Sequence, residues 1–91
     1  MYVSLQRFSD TESRYDISLR KGAAYDNPIL VRVNTSPSGT VISVDATQKG
    51  MSIAQAAIFA QALMVGLQIA DDLNNGREVK AVVEYDATAD Q

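Results

Sequence analysis

Hydrophobic and polar residues alternate along four short segments in the first half of the chain. Because side chains two residues apart lie on the same face of a strand, this alternation predicts strands over 2–8, 14–20, 29–35 and 40–46. Turn-forming residues separate these segments, as in Ser36-Pro37-Ser38-Gly39. Connections this short favour an antiparallel meander.

A long apolar segment follows, and both of its ends show helix signals. Ser52 and Gln55 fit a capping box, in which the serine hydroxyl accepts from the third helical amide and the glutamine side chain reaches back. Asn74-Asn75-Gly76 supplies residues that tolerate the left-handed conformation at a helix end. The pattern therefore predicts a helix over 52–73, about 33 Å long at 1.5 Å per residue.

Alternation resumes after the helix over 77–86 and predicts a final strand. The predicted element order is therefore β-β-β-β-α-β. This order is typical of an α+β fold, with an antiparallel sheet of four to five strands and one long helix. We expect a single domain over 1–86 and a polar C-terminal tail over 87–91.

The predicted helix has two apolar stripes, with no charged residue between Lys49 and Asp71. The first stripe, which we expect to lie on the sheet, consists of Ile53, Ala56, Ala57, Ala60, Leu63, Met64 and Leu67. The second stripe, about 140° away around the helix axis, consists of Ile58, Ala62, Val65 and Ile69. A helix that is apolar nearly all round must be buried on two sides.

Three interpretations of the second stripe are open. A membrane span fits the length of the helix, although glutamines are spread through it and amphipathic strands flank it. In a second interpretation, loops or the final strand cover this side of the helix. The third, which we favour, is a two-fold homodimer that pairs the second stripes, with Ala62 and Gly66 permitting close approach. A chain of 91 residues offers little material to cover a second helix face.

The composition excludes the catalytic groups that most enzymes use. The chain contains neither Cys nor His, so it has no disulfide, no thiolate nucleophile and no histidine base or metal ligand. Asp71 and Asp72 are adjacent, but neighbouring helical side chains point about 100° apart and cannot share one catalytic site. We interpret these two residues as solvated. We therefore expect no enzymatic activity, no cofactor and no bound metal.

Charge is distributed unevenly along the chain. The net charge is −3, yet residues 1–40 contain five basic residues against four acidic ones, and residues 41–91 contain three against seven. In the first half, basic and aromatic residues fall on or near the predicted sheet: Arg7, Arg14, Arg20, Lys21, Arg32 and Tyr25. Cations for phosphates and rings for bases are what binders of single-stranded nucleic acid use. Arginines that are simply solvated are the competing interpretation.

Two sequence motifs occur in a recognisable order. The first is Tyr2-Val3-Ser4-Leu5-Gln6-Arg7-Phe8, followed after a turn by Tyr15-Asp16-Ile17-Ser18; the second is Lys49-Gly50-Met51-Ser52-Ile53. Together they resemble the positive-cofactor-four family of single-stranded-DNA-binding coactivators, which is related in architecture to the Whirly proteins. The resemblance implies dimers built through their helices and sheets that bind unpaired strands, with Lys49 as a matching basic residue. Where that family has other basic residues, this chain has Gln6, Ser18 and Gln48.

These observations predict a homodimeric, sequence-tolerant protein that binds single-stranded DNA or RNA through a basic sheet face. The alternative is a small oligomeric protein-interaction or structural domain, of a size common among phage proteins. The start of the chain has neither a basic nor an apolar signal region, so we expect a cytoplasmic protein, and we expect no membrane partner.

Overall fold

The fold is an α+β sheet-and-helix arrangement, as the element order predicts. The computed structural model describes residues 1–21, 28–44 and 50–80, together with the backbone of 84–85. The elements are β1 Tyr2–Arg7, β2 Ser13–Ser18, β3 Ile29–Ser36, β4 Gly39–Val44, α1 Ile53–Asn74 and β5 Glu84–Tyr85. The first four strands form the predicted antiparallel meander, and the spatial order of the sheet is β4-β3-β2-β1-β5.

The turns follow the sequence prediction, while two strands end earlier than predicted. Pro37 and Ser38 form a two-residue turn closed by the pair Ser36 and Gly39, and Gly39 adopts φ 128°, which a side chain would disfavour. β2 stops at Ser18 rather than residue 20, because the Ser18 hydroxyl donates to the Arg20 carbonyl oxygen at 3.0 Å and the chain bends there. β1 likewise ends at Arg7.

Both predicted helix signals are present. Ser52 Oγ accepts from the Gln55 amide at 3.1 Å, and the Ser52 amide donates to Gln55 Oε1 at 3.0 Å. At the other end, Gly76 adopts φ 67° and donates to the Leu73 carbonyl at 3.3 Å, while the Arg77 amide donates to that of Asp72 at 2.8 Å. These two bonds form a Schellman motif, which stops the helix.

The end of α1 is fastened by an ion cluster, which corrects two predictions. Asp72 is buried rather than solvated, and it accepts from Gln68 Nε2 at 3.0 Å and from Arg77 Nε at 3.1 Å. Arg77 also pairs with Asp71, and these hydrogen bonds raise the pKa of the guanidinium. Because Arg77 is held against the helix end, residues 77–80 do not form the start of the predicted last strand.

The last strand is short and lies at the far edge of the sheet. Glu84 and Tyr85 pair in parallel with Ser4 and Leu5 of β1. The chain therefore leaves β4 at one edge, crosses the sheet as α1 and returns at the other edge. The predicted tail over 87–91 lies outside the described residues, as do residues 45–46 of the predicted fourth strand.

The helix lies over β2, β3 and β4 with the second stripe facing the sheet. Ala62 and Ile69 are fully buried, and Ile58 and Val65 pack against the core. The first stripe is exposed instead, with Met64 at 70% and Ile53 at 91%. The predicted dimer interface of Ile58, Ala62, Val65 and Ile69 is therefore wrong, because these residues are occupied by the sheet.

Small residues allow a close approach of the buried face of α1 to the sheet. Gly66 and Ala62 lie at the centre of the buried face and let the helix approach the branched side chains of the sheet. A Cβ atom built on Gly66 would lie 2.9 Å from Val31 Cγ1 and 3.4 Å from Ile17 Cδ1. The small residues that were predicted to bring two helices together instead bring α1 onto the sheet.

Replacing Gly66 by Val is expected to lower the free energy of unfolding by about 2–3 kcal/mol, since overpacking of a tight core costs ~1–3 kcal/mol and this substitution adds three carbons to it. Valine improves helix propensity by only about 0.3 kcal/mol over glycine, which does not offset the clash. Urea unfolding followed by circular dichroism measures the change. The control is Ala54→Val at an exposed position of α1, where a loss below about 1 kcal/mol is expected. Equal losses for the two variants would contradict the close approach at Gly66.

Candidate functional site

The face of the sheet that points away from α1, called here the open sheet face, is mostly polar. Cross-strand pairing arranges its side chains in rows, because residues directly opposite each other share a face. One row contains Gln6, Arg14, Asn34 and Val41, and the next contains Ser4, Asp16, Arg32 and Ser43. Two of the predicted binding residues, Arg14 and Arg32, thus lie on neighbouring strands of one surface.

Asp16 joins these two arginines. Arg14 Nε lies 2.9 Å from Asp16 Oδ1, and Arg32 Nε lies 3.4 Å from the same oxygen. The arginine side chains are 26% and 45% exposed, whereas that of Asp16 is 5% exposed. Neither Arg14 Nε nor Asp16 Oδ1 has a well-aligned hydrogen bond, so the contact is an ion pair by proximity rather than by direction. Two guanidinium groups thus share one carboxylate oxygen.

Arg14 is fixed by two further contacts. Its Nη2 donates to Gln6 Oε1 at 2.6 Å. Its guanidinium carbon lies 5.5 Å from the centre of the Phe8 ring, which is within the range of a cation–π interaction. Phe8 follows β1 at the edge of the open sheet face and remains 58% exposed. The cluster therefore presents a stacked arginine and an accessible aromatic ring side by side.

The other predicted basic residues do not join this cluster. Arg7 pairs with Ser13 and so belongs to the helix side of the sheet, contrary to the prediction of one common basic surface. Burial raises the pKa of Tyr15 on that side, and the charge of Arg7 partly opposes the rise. Arg20 and Lys21 are exposed beyond the end of β2. Tyr25 and Lys49 lie outside the described residues.

The charge of the open sheet face is lower than the count of its arginines suggests. Arg14 and Arg32 together contribute two positive charges, and Asp16 cancels one of them, which leaves a net +1 on the cluster. The remaining members of the two rows are uncharged. A ligand of this face meets many hydrogen-bonding groups and only a modest positive field.

Sequence reasoning missed two residues that organise this cluster, namely Asp16 and Gln6. The sequence does contain a pattern that predicts the contact between Asp16 and Arg14. Arg14 and Asp16 are two residues apart on one strand, and side chains with that spacing share a face. The contribution of Arg32 depends on the register between β2 and β3, which the sequence does not specify.

A second surface lies on the side of α1 that faces away from the sheet, called here the outer helix surface. It consists of the seven residues of the first stripe: Ile53, Ala56, Ala57, Ala60, Leu63, Met64 and Leu67. All seven are exposed, Leu67 to 53% and Leu63 to 37%. By length and composition alone, α1 is also long and apolar enough to cross a membrane. Such a span would have to leave the sheet and uncover the core that Ile69 and Ala62 complete.

Comparison of the chain with protein-family models, with curated proteins and with solved structures found no match. Among the described residues, no group of three or more acidic side chains is placed to hold a metal ion. What can be inferred about function therefore comes from the chemistry of the open sheet face and the outer helix surface.

Proposed function

We propose that the protein is a homodimer that binds single-stranded nucleic acid on the open sheet face. The observation that supports this most directly is the Arg14–Asp16–Arg32 cluster beside the exposed ring of Phe8. Arginines for phosphates and an aromatic platform for bases are the two components of sequence-tolerant single-strand binding. The same combination is implied by the resemblance to the positive-cofactor-four family.

The open sheet face also has the length that a strand of nucleic acid requires. Tyr2 lies on this face at the opposite end of β1 from Phe8, and it is 37% exposed. Six residues at about 3.3 Å each separate the two rings by roughly 20 Å. Polar side chains such as Ser4 and Gln6 line the interval. This layout suits several consecutive nucleotides with a stacking position at each end.

The low charge of the cluster leads to a specific expectation about salt. Each phosphate contact contributes a slope of about −0.7 to log K against log salt for single strands. With Arg14 and Arg32 as the two phosphate contacts, we expect a slope near −1.4. Stacking on Phe8 is insensitive to salt and supplies the remaining affinity.

Arg32→Gln is expected to weaken binding of a fluorescently labelled oligothymidine about tenfold, because it removes the more exposed phosphate contact. Fluorescence anisotropy at about 50 and 200 mM salt gives the affinity and the slope. Arg7→Gln is the matched control, since it removes the same charge from the opposite side of the sheet. Equal weakening by the two variants would point to diffuse electrostatics rather than to the open sheet face.

A wild-type protein that binds no oligonucleotide even at low salt would contradict the nucleic-acid proposal. The outer helix surface would then favour the second candidate, an oligomeric interaction domain, because exposed apolar patches of this kind mark protein contacts. The dimer and the nucleic-acid site are therefore tested separately.

A second copy of this chain is the partner that best fits the outer helix surface. In an antiparallel two-fold pairing centred on Ala60, Ile53 lies opposite Leu67, Ala56 opposite Met64, and Ala57 opposite Leu63. The two inner pairs then place a bulky residue against an alanine, the outermost pair places two bulky residues together, and the two copies of Ala60 lie at the axis. The middle of the stripe is thus complementary to itself in size, as an isologous interface requires.

The area of the surface is compatible with a dimer of modest affinity. One third of the accessible surface around a 22-residue helix is about 500 Å² per protomer. Pairing two such faces buries roughly 1,000 Å², close to the lower limit of specific interfaces. In this dimer the helices form the inner layers, so the two open sheet faces point outward in opposite directions.

A further inference from the structure

The Asp16 side chain is nearly inaccessible, although it lies on the open sheet face, which points away from α1. The residue is 4% exposed, in the middle of β2. Aspartate is disfavoured within strands, and burial of a carboxylate is costly unless cations compensate it. Arg14 and Arg32 provide this compensation. An uncharged residue at position 16 would avoid the desolvation cost of a buried carboxylate. We therefore look for a functional reason for the carboxylate at this position.

The geometry of the cluster shows what the carboxylate does to its neighbours. Each arginine pairs with Asp16 Oδ1 through Nε, at 2.9 Å for Arg14 and 3.4 Å for Arg32. Arg14 uses Nη2 on Gln6. Arg32 makes no hydrogen bond through its terminal nitrogens to the other described residues, and its side chain is 45% exposed. Asp16 therefore holds both guanidinium groups at one point of the open sheet face by charge, and the terminal nitrogens of Arg32 keep donors for a ligand.

We infer that Asp16 is a positioning residue, which holds Arg14 and Arg32 side by side for the phosphates of a single strand; the inference rests on the proposed function. A free arginine loses much side-chain entropy when it is ordered by a ligand. Arginines already ordered by Asp16 avoid part of that loss. The fork of the guanidinium also requires a defined orientation for two-point contact with phosphate oxygens.

This role predicts an effect opposite in sign to that of simple electrostatics. Asp16→Asn removes a negative charge from a surface that binds an anion, so charge alone would tighten binding. Loss of the anchor would instead loosen two arginines. We expect Asp16→Asn to bind the labelled oligothymidine about tenfold more weakly than the wild type, given the usual penalty for ordering two long side chains.

The test measures anisotropy for the wild type, Asp16→Asn, Arg32→Gln and the double variant, at about 50 mM salt. The four proteins form a double-mutant cycle. If Asp16 acts through the arginines, replacing it should change the binding affinity little once Arg32 is gone, so the effects of the two substitutions on the binding free energy should not add. Tighter binding by Asp16→Asn, or additive effects in the cycle, would overturn the inference. Circular dichroism establishes that each variant is folded.

Arg32→Lys provides a test that does not depend on the folding of the Asp16 variant. It keeps the charge at an exposed position but loses Nε and the planar fork. Binding as weak as that of Arg32→Gln is expected, and wild-type affinity would overturn the inference. The outcomes that would overturn the inference, in the Asp16→Asn cycle and for Arg32→Lys, can be observed only if the wild type binds the oligothymidine. A wild type that does not bind would instead overturn the proposed function, and this inference with it.

Discussion

Replacing Ile69 by Ala is expected to lower the free energy of unfolding by about 3–5 kcal/mol. Ile69 is fully inaccessible and belongs to the same core cluster as Ile17, Val31 and Val33. Truncation removes its transfer free energy and leaves a cavity that β-branched neighbours fill poorly. A domain of this size has a total stability of only about 5–15 kcal/mol, so the variant should unfold at a much lower temperature.

Thermal and urea unfolding of dilute protein measure this effect. Leu67→Ala is the control, because Leu67 lies on the same helix but is 53% exposed. In dilute protein its loss should cost less than about 1 kcal/mol. The Ile69 effect should be independent of protein concentration, whereas an effect of Leu67 should grow as the protein dimerises. A larger effect of Leu67 than of Ile69 in dilute protein would mean that the faces of α1 are reversed.

Replacing Met64 by Asp is expected to convert the proposed dimer into a folded monomer. Met64 is 70% exposed in the single chain, so the substitution does not disturb the core. In the two-fold pairing it lies opposite Ala56, where a carboxylate would be buried without a partner. Two copies of that penalty act on one interface of modest area, so the dimer should dissociate completely at micromolar concentrations.

Light scattering coupled to size exclusion tests this expectation, with a change in mass from twice 9.8 kDa to 9.8 kDa. Ser38→Asp is the matched control, because it adds the same charge in the exposed turn between β3 and β4, away from the helix. A wild type that stays monomeric at high concentration would contradict the dimer. Wild-type protein that floats with phospholipid vesicles, and Met64→Asp protein that does not, would favour the membrane interpretation instead.

The two surfaces were not equally accessible to sequence reasoning. The apolar stripes of α1 follow from helix periodicity alone, as does the conclusion that two of its sides need cover. Which stripe meets the sheet depends on the fit of Gly66 to Val31 and Ile17, and that fit exists only between the packed elements. Periodicity counts apolar residues and does not test their fit, so it favours the stripe of seven apolar residues over the stripe of four as the face that meets the sheet.

For the basic residues, too, the sequence pattern predicts one part of the arrangement and the packed structure decides the rest. The alternation of β2 places Arg14 on the side away from the core. It could not show that Asp16 binds Arg14 and Arg32 together, nor that Arg7 belongs to the helix side. Those facts depend on the register of three strands, in which a shift of one residue moves a side chain to the other face.

The sequence by itself determined the order of the elements, the capping box at Ser52, the stop at Gly76 and the antiparallel meander, because local backbone preferences and short connections decide these features. Only the tertiary structure decided which helix face is buried, which arginines meet, and that Asp16 lies between them. Those outcomes depend on contacts between residues far apart in the chain, where size and register select one arrangement among several with the same hydrophobic pattern.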